Sequence, residues 1–172
     1  MIFVIGCNHG IQKANEDDLL PIDNIAEIRT QRLSFSRLLE AIVTKGEIQF
    51  VGEEWGLPES SIVQNLAKEE RRVAWANINT SFEDLDRMGI PRDYVHGPYG
   101  QAEKDRWNRQ REGFMFGRIQ ESRGRAQNLL IVCGFRHLGP LKKLLSQNKD
   151  EVQLVDYRGM EWYRPGVFCD DE

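Results

Sequence analysis

The stretch LLIVCGFRH, residues 129–137, decides the fold of this chain. It begins as a continuous apolar run of strand length that Gly134 closes, and such a run is typical of a strand buried on both faces of a parallel sheet. The chain opens with a run of the same kind, Ile2 to Ile5, which Gly6 closes. Further short apolar runs at residues 48–51, 73–76 and 152–155 predict three more strands.

Between these runs the apolar residues have helical spacing. The spacing predicts helices over residues 26–45, 60–70 and 102–122, and one more that opens at Gly139-Pro140. Alternating strands and helices indicate an α/β fold with a mostly parallel central sheet and helices on both faces. We expect a single compact domain over residues 1–172, with a core at about 1–157 and a C-terminal tail at 158–172.

The composition excludes several classes of protein. The 172 residues carry 23 Lys+Arg and 27 Asp+Glu, a formal charge of −4, which argues against a nucleic-acid partner because such surfaces usually have a basic excess. No apolar run reaches the roughly 18 residues of a membrane helix, and the N-terminus lacks the features of a secretory signal. Three Cys without C-x-x-C spacing indicate free thiols. We expect a cytoplasmic protein with no membrane partner.

Two of the three histidines occupy matching places. His9 and His137 each lie three residues after a glycine that closes an apolar run, whereas His96 lies in a Pro- and Gly-rich stretch. Open parallel sheets bind ligands beyond the carboxyl ends of their strands, where both imidazoles and the Glu53-Glu54 pair are expected. Two imidazoles and a carboxylate suit a borderline divalent metal, or a histidine base that a carboxylate orients. Two unrelated loop histidines are the plain alternative.

The longest predicted helix adds Arg111, which lies on its apolar stripe. A charge that faces the core requires a partner or a ligand. Arg111 is therefore expected to pair with Glu53 or Glu54, or to hold an anionic or carbonyl oxygen, unless its long side chain extends to solvent. Gly113 and Gly117 in the same helix predict close packing against a neighbour.

Taken together, these motifs resemble the TraB/Tiki superfamily, which includes Tiki-type metalloproteases, erythromycin esterases and ChaN-like haem-binding proteins. The shared pattern is two G-x-x-H motifs, a G-E-E at the second strand and an R-E motif in the helix before the second G-x-x-H, and it covers roughly residues 1–145. The resemblance implies an α/β core with the motif residues gathered at one sheet edge. The residues that match motif positions are His9, Glu53, Arg111 and His137, with Glu54 and Glu112 next to them.

We therefore expect a small hydrolase that cleaves an amide or ester bond with the help of a divalent metal such as Mn, Zn, Co or Fe. In the metal-assisted version His9, Glu53 and His137 bind the ion, Glu54 is the general base and Arg111 stabilises the oxyanion. In a metal-free version His9 is the base and Glu53 orients it. The expected partner is a small-molecule or peptide substrate, and a homo-oligomer is compatible with the sequence.

A non-catalytic binding module is the alternative, in which the same edge captures a metal, a haem or an anionic small molecule. A third hypothesis is an interaction domain with Trp55, Tyr94 and Tyr99 as exposed aromatic anchors. The connections at residues 10–24 and 89–100 are long for a compact domain, which favours a functional loop under any of these hypotheses.

Overall fold

A five-stranded parallel sheet lies at the centre of the protein. The computed structural model describes residues 1–12, 25–56, 60–70, 72–161 and 163–164, without the side chains of His9 and Ile25. The strands are β1 (Ile2–Cys7), β2 (Phe50–Glu53), β3 (Ala74–Asn77), β4 (Leu129–Gly134) and β5 (Val152–Val155). Their order across the sheet is β3-β2-β4-β1-β5, and every neighbouring pair is parallel.

Helices connect the strands. They are α1 (His9–Gln12), α2 (Ile25–Lys45), α3 (Ile62–Glu69), α4 (Phe82–Met88), α5 (Gln101–Ser122) and α6 (Phe135–Gln147), followed by a 3-10 turn at Tyr157–Gly159. None of the described helices has the length and apolar character needed to cross a membrane.

Each face of the sheet has its own hydrophobic core. Alternate side chains of β4 point to opposite faces, so that Leu130 and Val132 join one core while Leu129 and Ile131 join the other. Helices α2 and α3 cover the first face, and α5 and α6 cover the second. The predicted α/β fold, with a parallel sheet and helices on both faces, is confirmed.

The connections of the sheet diverge between β2 and β4. From β2 the chain continues through α3 to β3 on one side, and from β4 it continues through α6 to β5 on the other side. The two helices also pack on opposite faces. Such a divergence leaves a crevice beyond the carboxyl ends of the two strands, which is where open α/β sheets bind their ligands. The residues at these ends are Glu54, after β2, and Gly134, which closes β4.

The helices of the structure differ from the predicted helices in two places. Helix α6 begins at Phe135 and not at Gly139-Pro140, so Pro140 lies inside it. Its N-terminus is fixed by the Glu54 carboxylate, which accepts the N–H of Gly134 at 2.8 Å and opposes the positive end of the helix dipole. Helix α4 was not predicted, although Ser81 and Asp84 form the reciprocal capping box that starts it.

The predicted loop at residues 89–100 packs as a series of turns against α5. Tyr94 and Tyr99 both meet the ring of Trp107 edge-on, with centroids 5.9 Å and 4.9 Å away. This small cluster is separate from the two cores of the sheet. The other long connection, apart from residues 10–12 in α1, lies outside the described residues, as do positions 162 and 165–172 of the predicted tail.

The prediction of close packing at Gly113 and Gly117 is wrong for the described residues. A methyl group placed on either glycine meets no described atom within 4 Å outside the backbone of the helix itself. The reason is that α5 buries another face, which carries Trp107, Met115 and Ile119.

Gly113→Ala should therefore raise the free energy of unfolding by about 0.5–1 kcal/mol, because alanine loses less conformational entropy in a helix and meets no obstacle. Urea unfolding measures the change. Gly89→Ala is the control that should destabilise, since Gly89 ends α4 with φ of 67°, a left-handed conformation that suits glycine. Equal effects at the two positions would contradict this account.

Candidate functional site

Both G-x-x-H motifs emerge at the same edge of the sheet, as the sequence predicts. Strands β1 and β4 are adjacent and parallel, with Gly6 beside Cys133. His9 begins α1 and His137 lies in the first turn of α6, so both follow directly on these strand ends. The structure describes the backbone of His9 and not its side chain. His96 is exposed in the turns of residues 89–100.

The carboxylate of Glu54 lies in the crevice between β2 and β4. The residue is 2% exposed. Its Oε1 accepts a hydrogen bond from Arg111 Nη2 at 3.0 Å, and its Oε2 accepts the N–H of Gly134 at 2.8 Å. The same Oε1 lies 3.6 Å from His137 Nε2. The expectation that Arg111 pairs with one residue of Glu53-Glu54 is confirmed, and the partner is Glu54.

The imidazole of His137 lies between two carboxylates. Its Nδ1 is 3.0 Å from Glu112 Oε1, and His137 and Glu112 are 2% and 5% exposed. A carboxylate that accepts the Nδ1 proton fixes the ring orientation and leaves the lone pair of a neutral imidazole on Nε2. Helix α5 therefore supplies consecutive partners, with Arg111 on Glu54 and Glu112 on His137.

Arg111 is held by four acceptors and is 12% exposed. Its Nε donates to Thr80 Oγ1 at 3.0 Å, Nη2 donates to Asn79 Oδ1 at 3.0 Å as well as to Glu54, and Nη1 donates to the Tyr94 hydroxyl. Burial lowers the pKa of the guanidinium, but the charge of Glu54, together with Tyr94 and the hydrogen bonds to both residues, outweighs burial, and the pKa is raised above its ordinary value. These bonds use four of the five N–H groups, which suits a residue that fixes Glu54 in place.

Sequence reasoning missed the three neutral partners of Arg111. Asn79 and Thr80 carry a usable signal, because they follow the third apolar run at the carboxyl edge of the sheet. Tyr94 was expected with Trp55 as an exposed anchor, and this is wrong, since they are 3% and 4% exposed. The reason for Tyr94 is that its ring packs on α5 while its hydroxyl reaches Arg111.

Glu53 is placed on the other face of the sheet. It is fully buried, and its carboxyl accepts hydrogen bonds from Gln12 Nε2 at 3.0 Å, Ser61 Oγ at 2.6 Å and Trp75 Nε1 at 2.9 Å. Burial raises its pKa from 4.5 to about 7, although the three donors act in the opposite direction. Consecutive residues of an extended chain alternate between faces, so Glu53 and Glu54 have separate surroundings.

The buried cysteines behave as predicted for small apolar residues. Cys7 and Cys133 are 1% and 0% exposed. Burial, together with nearby negative charges, raises the pKa of both thiols well above the ordinary value. Neither thiol is activated as a nucleophile.

The structure separates the two predicted metal ligands whose side chains it describes, Glu53 and His137. His137 lies with Glu54 on the face of α5 and α6, whereas the carboxyl of Glu53 lies on the face of α3. Within the described part of the chain, no group of three or more His, Cys, Asp or Glu is arranged to hold a metal ion. The residue that His137 approaches is Glu54, which was predicted as the general base, with Nε2 and Oε1 3.6 Å apart.

Arg111→Met should lower the free energy of unfolding by about 3–5 kcal/mol, because it leaves the Glu54 carboxylate buried without its counter-charge. Adding Glu54→Gln removes that charge and should restore more than half of the loss. Urea unfolding of the two single variants and the double variant measures the coupling. Simple addition of the two single losses would show that the pair does not interact.

The raised pKa of Glu53 makes stability depend on pH. The folded protein binds this proton more tightly than the unfolded chain, so the contribution is complete below the unfolded pKa of 4.5 and is lost as the pH rises through about 7. Between about pH 5 and about pH 8 the natural protein should lose about 2–3 kcal/mol more stability than Glu53→Gln. Urea unfolding at both pH values measures this, and equal losses would contradict the assignment.

Comparisons with known proteins provide no relative of this chain. No family model, no curated protein and no solved structure matches it. The fold and the site therefore stand on the geometry of the chain itself.

Proposed function

We propose that this protein is a small hydrolase of the TraB/Tiki type that cleaves an amide or ester bond with the help of a divalent metal. The observation that carries the proposal is the 3.6 Å approach of Glu54 Oε1 and His137 Nε2. Both side chains are fixed by hydrogen bonds, Glu54 by bonds from Arg111 and Gly134, and His137 by its bond with Glu112. They lie at the switch point of the sheet, where ligands of such folds bind.

The hydrogen bond of His137 to Glu112 determines which group of the imidazole faces Glu54. In a neutral imidazole with its proton on Nδ1, Nε2 presents a lone pair to the carboxylate oxygen of Glu54. Two acceptors that face each other repel, and a cation between them turns the repulsion into attraction. Arg111 contacts Glu54, and the two buried carboxylates of Glu54 and Glu112 on either side of the imidazole would attract a divalent cation.

The donor set fits a borderline divalent ion. Imidazole nitrogen and carboxylate oxygen are the ligands of such ions, and two ligands of one ion lie roughly 3–4 Å apart. Glu54 and His137 would hold the ion, with His9 as the third ligand that the sequence predicts. A bound ion of this kind supplies a hydroxide near neutral pH and polarises a carbonyl group. Glu53 has no part in this set, because its oxygens bind Gln12, Ser61 and Trp75.

The residues around the pair have positioning roles in this proposal. Glu112 holds the proton on His137 Nδ1, which fixes the tautomer and turns Nε2 toward Glu54. Arg111 fixes Glu54 Oε1, and the N–H of Gly134 fixes Oε2. Rigid support of this kind is what a hydrolytic site needs, because small displacements of its groups cost activity.

Metal analysis tests the first half of the proposal. Protein purified without chelator should contain Mn, Zn, Co or Fe in elemental analysis, and the metal-free protein should bind Zn²⁺ or Mn²⁺ in calorimetry. Glu54→Gln and His137→Ala should weaken binding by about 100-fold or more, while Glu53→Gln and His96→Ala change it by less than about threefold. Glu53→Gln is the matched control, since it makes the same change one residue away on the other face. Equal losses of metal affinity in Glu54→Gln and Glu53→Gln would contradict the assignment of Glu54 as a ligand.

Turnover tests the second half. The metal-loaded protein should hydrolyse p-nitrophenyl acetate or a peptide p-nitroanilide, and chelation or Glu54→Gln should abolish the activity. Binding of metal without turnover of either probe would instead support the non-catalytic binding module. Turnover that survives chelation would support the metal-free version, and absence of both binding and turnover overturns the proposal.

A further inference from the structure

We propose that Tyr94 is a positioning residue that couples the conformation of residues 89–100 to the site through Arg111. Its consequence for catalysis rests on the proposed function, but the coupling itself does not. Tyr94 lies in the middle of this segment and is 3% exposed, and its hydroxyl accepts a hydrogen bond from Arg111 Nη1. Arg111 in turn holds the Glu54 carboxylate.

The Tyr94 hydroxyl is directed by its own partner on α5. It donates its single proton to Asn108 Oδ1 at 2.9 Å, so its oxygen is left as an acceptor for Arg111. The ring is fixed edge-on to Trp107, at a centroid distance of 5.9 Å and an interplanar angle of 79°. Asn108 and Arg111 lie about one helical turn apart on α5, next to Trp107, so the segment and the helix are held together at this point.

The partners of Arg111 divide into one charge and three neutral groups. Glu54 supplies the countercharge, while Asn79, Thr80 and Tyr94 accept hydrogen bonds without adding charge. Asn79 and Thr80 lie two and three residues after the end of β3, and the N–H of Asn79 donates to Oδ1 of Asn77, the last residue of that strand. Tyr94 belongs to the longer connection between α4 and α5, and connections are where proteins place their movable parts. A displacement of residues 89–100 would therefore release Nη1 and loosen the support of Glu54.

Tyr99 provides a matched control within the same segment. Its ring also meets Trp107 edge-on, at 4.9 Å, but its hydroxyl donates to Asp93 Oδ1 at 3.2 Å. Tyr99→Phe and Tyr94→Phe each remove one hydroxyl and keep a ring on Trp107. Only the second change removes a hydrogen bond of Arg111.

The test follows the Arg111 side chain directly by NMR of the full ¹⁵N-labelled chain, with Arg111→Lys to assign the signal of the Nη1 proton that Arg111 donates to Tyr94. Tyr94→Phe should raise the rate at which this proton exchanges with solvent by about tenfold, which is the effect of one lost hydrogen bond. Tyr99→Phe should leave the rate within about twofold. Equal rates in the two variants overturn the proposal.

A second variant covers the case in which Tyr94→Phe does not fold. Asn108→Ala keeps the tyrosine ring on Trp107 but removes the group that directs its hydroxyl. It should also speed exchange of the Arg111 proton, and an unchanged rate overturns the proposal.

Kinetics separate this proposal from the proposed function. If the natural protein hydrolyses p-nitrophenyl acetate, Tyr94→Phe should lower kcat by about tenfold with KM within about twofold, because the loss falls on the support of Glu54 and not on contact with substrate. If the natural protein hydrolyses nothing, the proposed function fails, while the exchange rate of the Arg111 proton still decides the role of Tyr94.

Discussion

The ion pair between Arg111 and Glu54 is the interaction on which the arrangement at the carboxyl edge depends. The attraction between two buried charges offsets the free energy of their desolvation only when the geometry is good and their remaining donors and acceptors are hydrogen-bonded. Asn79, Thr80 and Tyr94 satisfy the guanidinium, and the N–H of Gly134 satisfies the carboxylate. The pair thereby joins the end of β2 to α5, to the turns of residues 89–100 and to the start of α6.

The two neighbouring glutamates show how the same side chain takes different properties from its surroundings. Glu53 is bound by neutral donors, and burial raises its pKa to about 7. Glu54 lies one residue later against a guanidinium and a helix N-terminus, both of which favour the charged carboxylate. The first glutamate ties β2 to α1, α3 and β3, and the second faces His137 in the crevice. A chain of alternating side chains can therefore place two carboxylates with different surroundings next to each other.

Helix α5 determines most of the site geometry on its face of the sheet. Its residues 108, 111 and 112 direct the Tyr94 hydroxyl, the Glu54 carboxylate and the His137 imidazole in turn. Because a helix repeats every 3.6 residues, groups spaced in this way lie on one side and reach one crevice. The helix fixes three groups from three separate segments, which explains how a small fold can hold a buried polar network in register.

The sequence by itself determined the parallel α/β fold, the emergence of both G-x-x-H motifs at one edge and the position of Arg111 on the apolar stripe of its helix. These follow from local patterns: apolar runs of strand length, glycines that close them, and a charge on an apolar stripe. Only the tertiary structure decided which glutamate meets Arg111, that α6 starts at Phe135, and that Tyr94 turns inward. The physical reason is that β2 is buried on both faces, so alternation separates Glu53 from Glu54 without showing which one shares a face with α5. That choice depends on strand order and helix placement, which arise from packing between segments far apart in the chain.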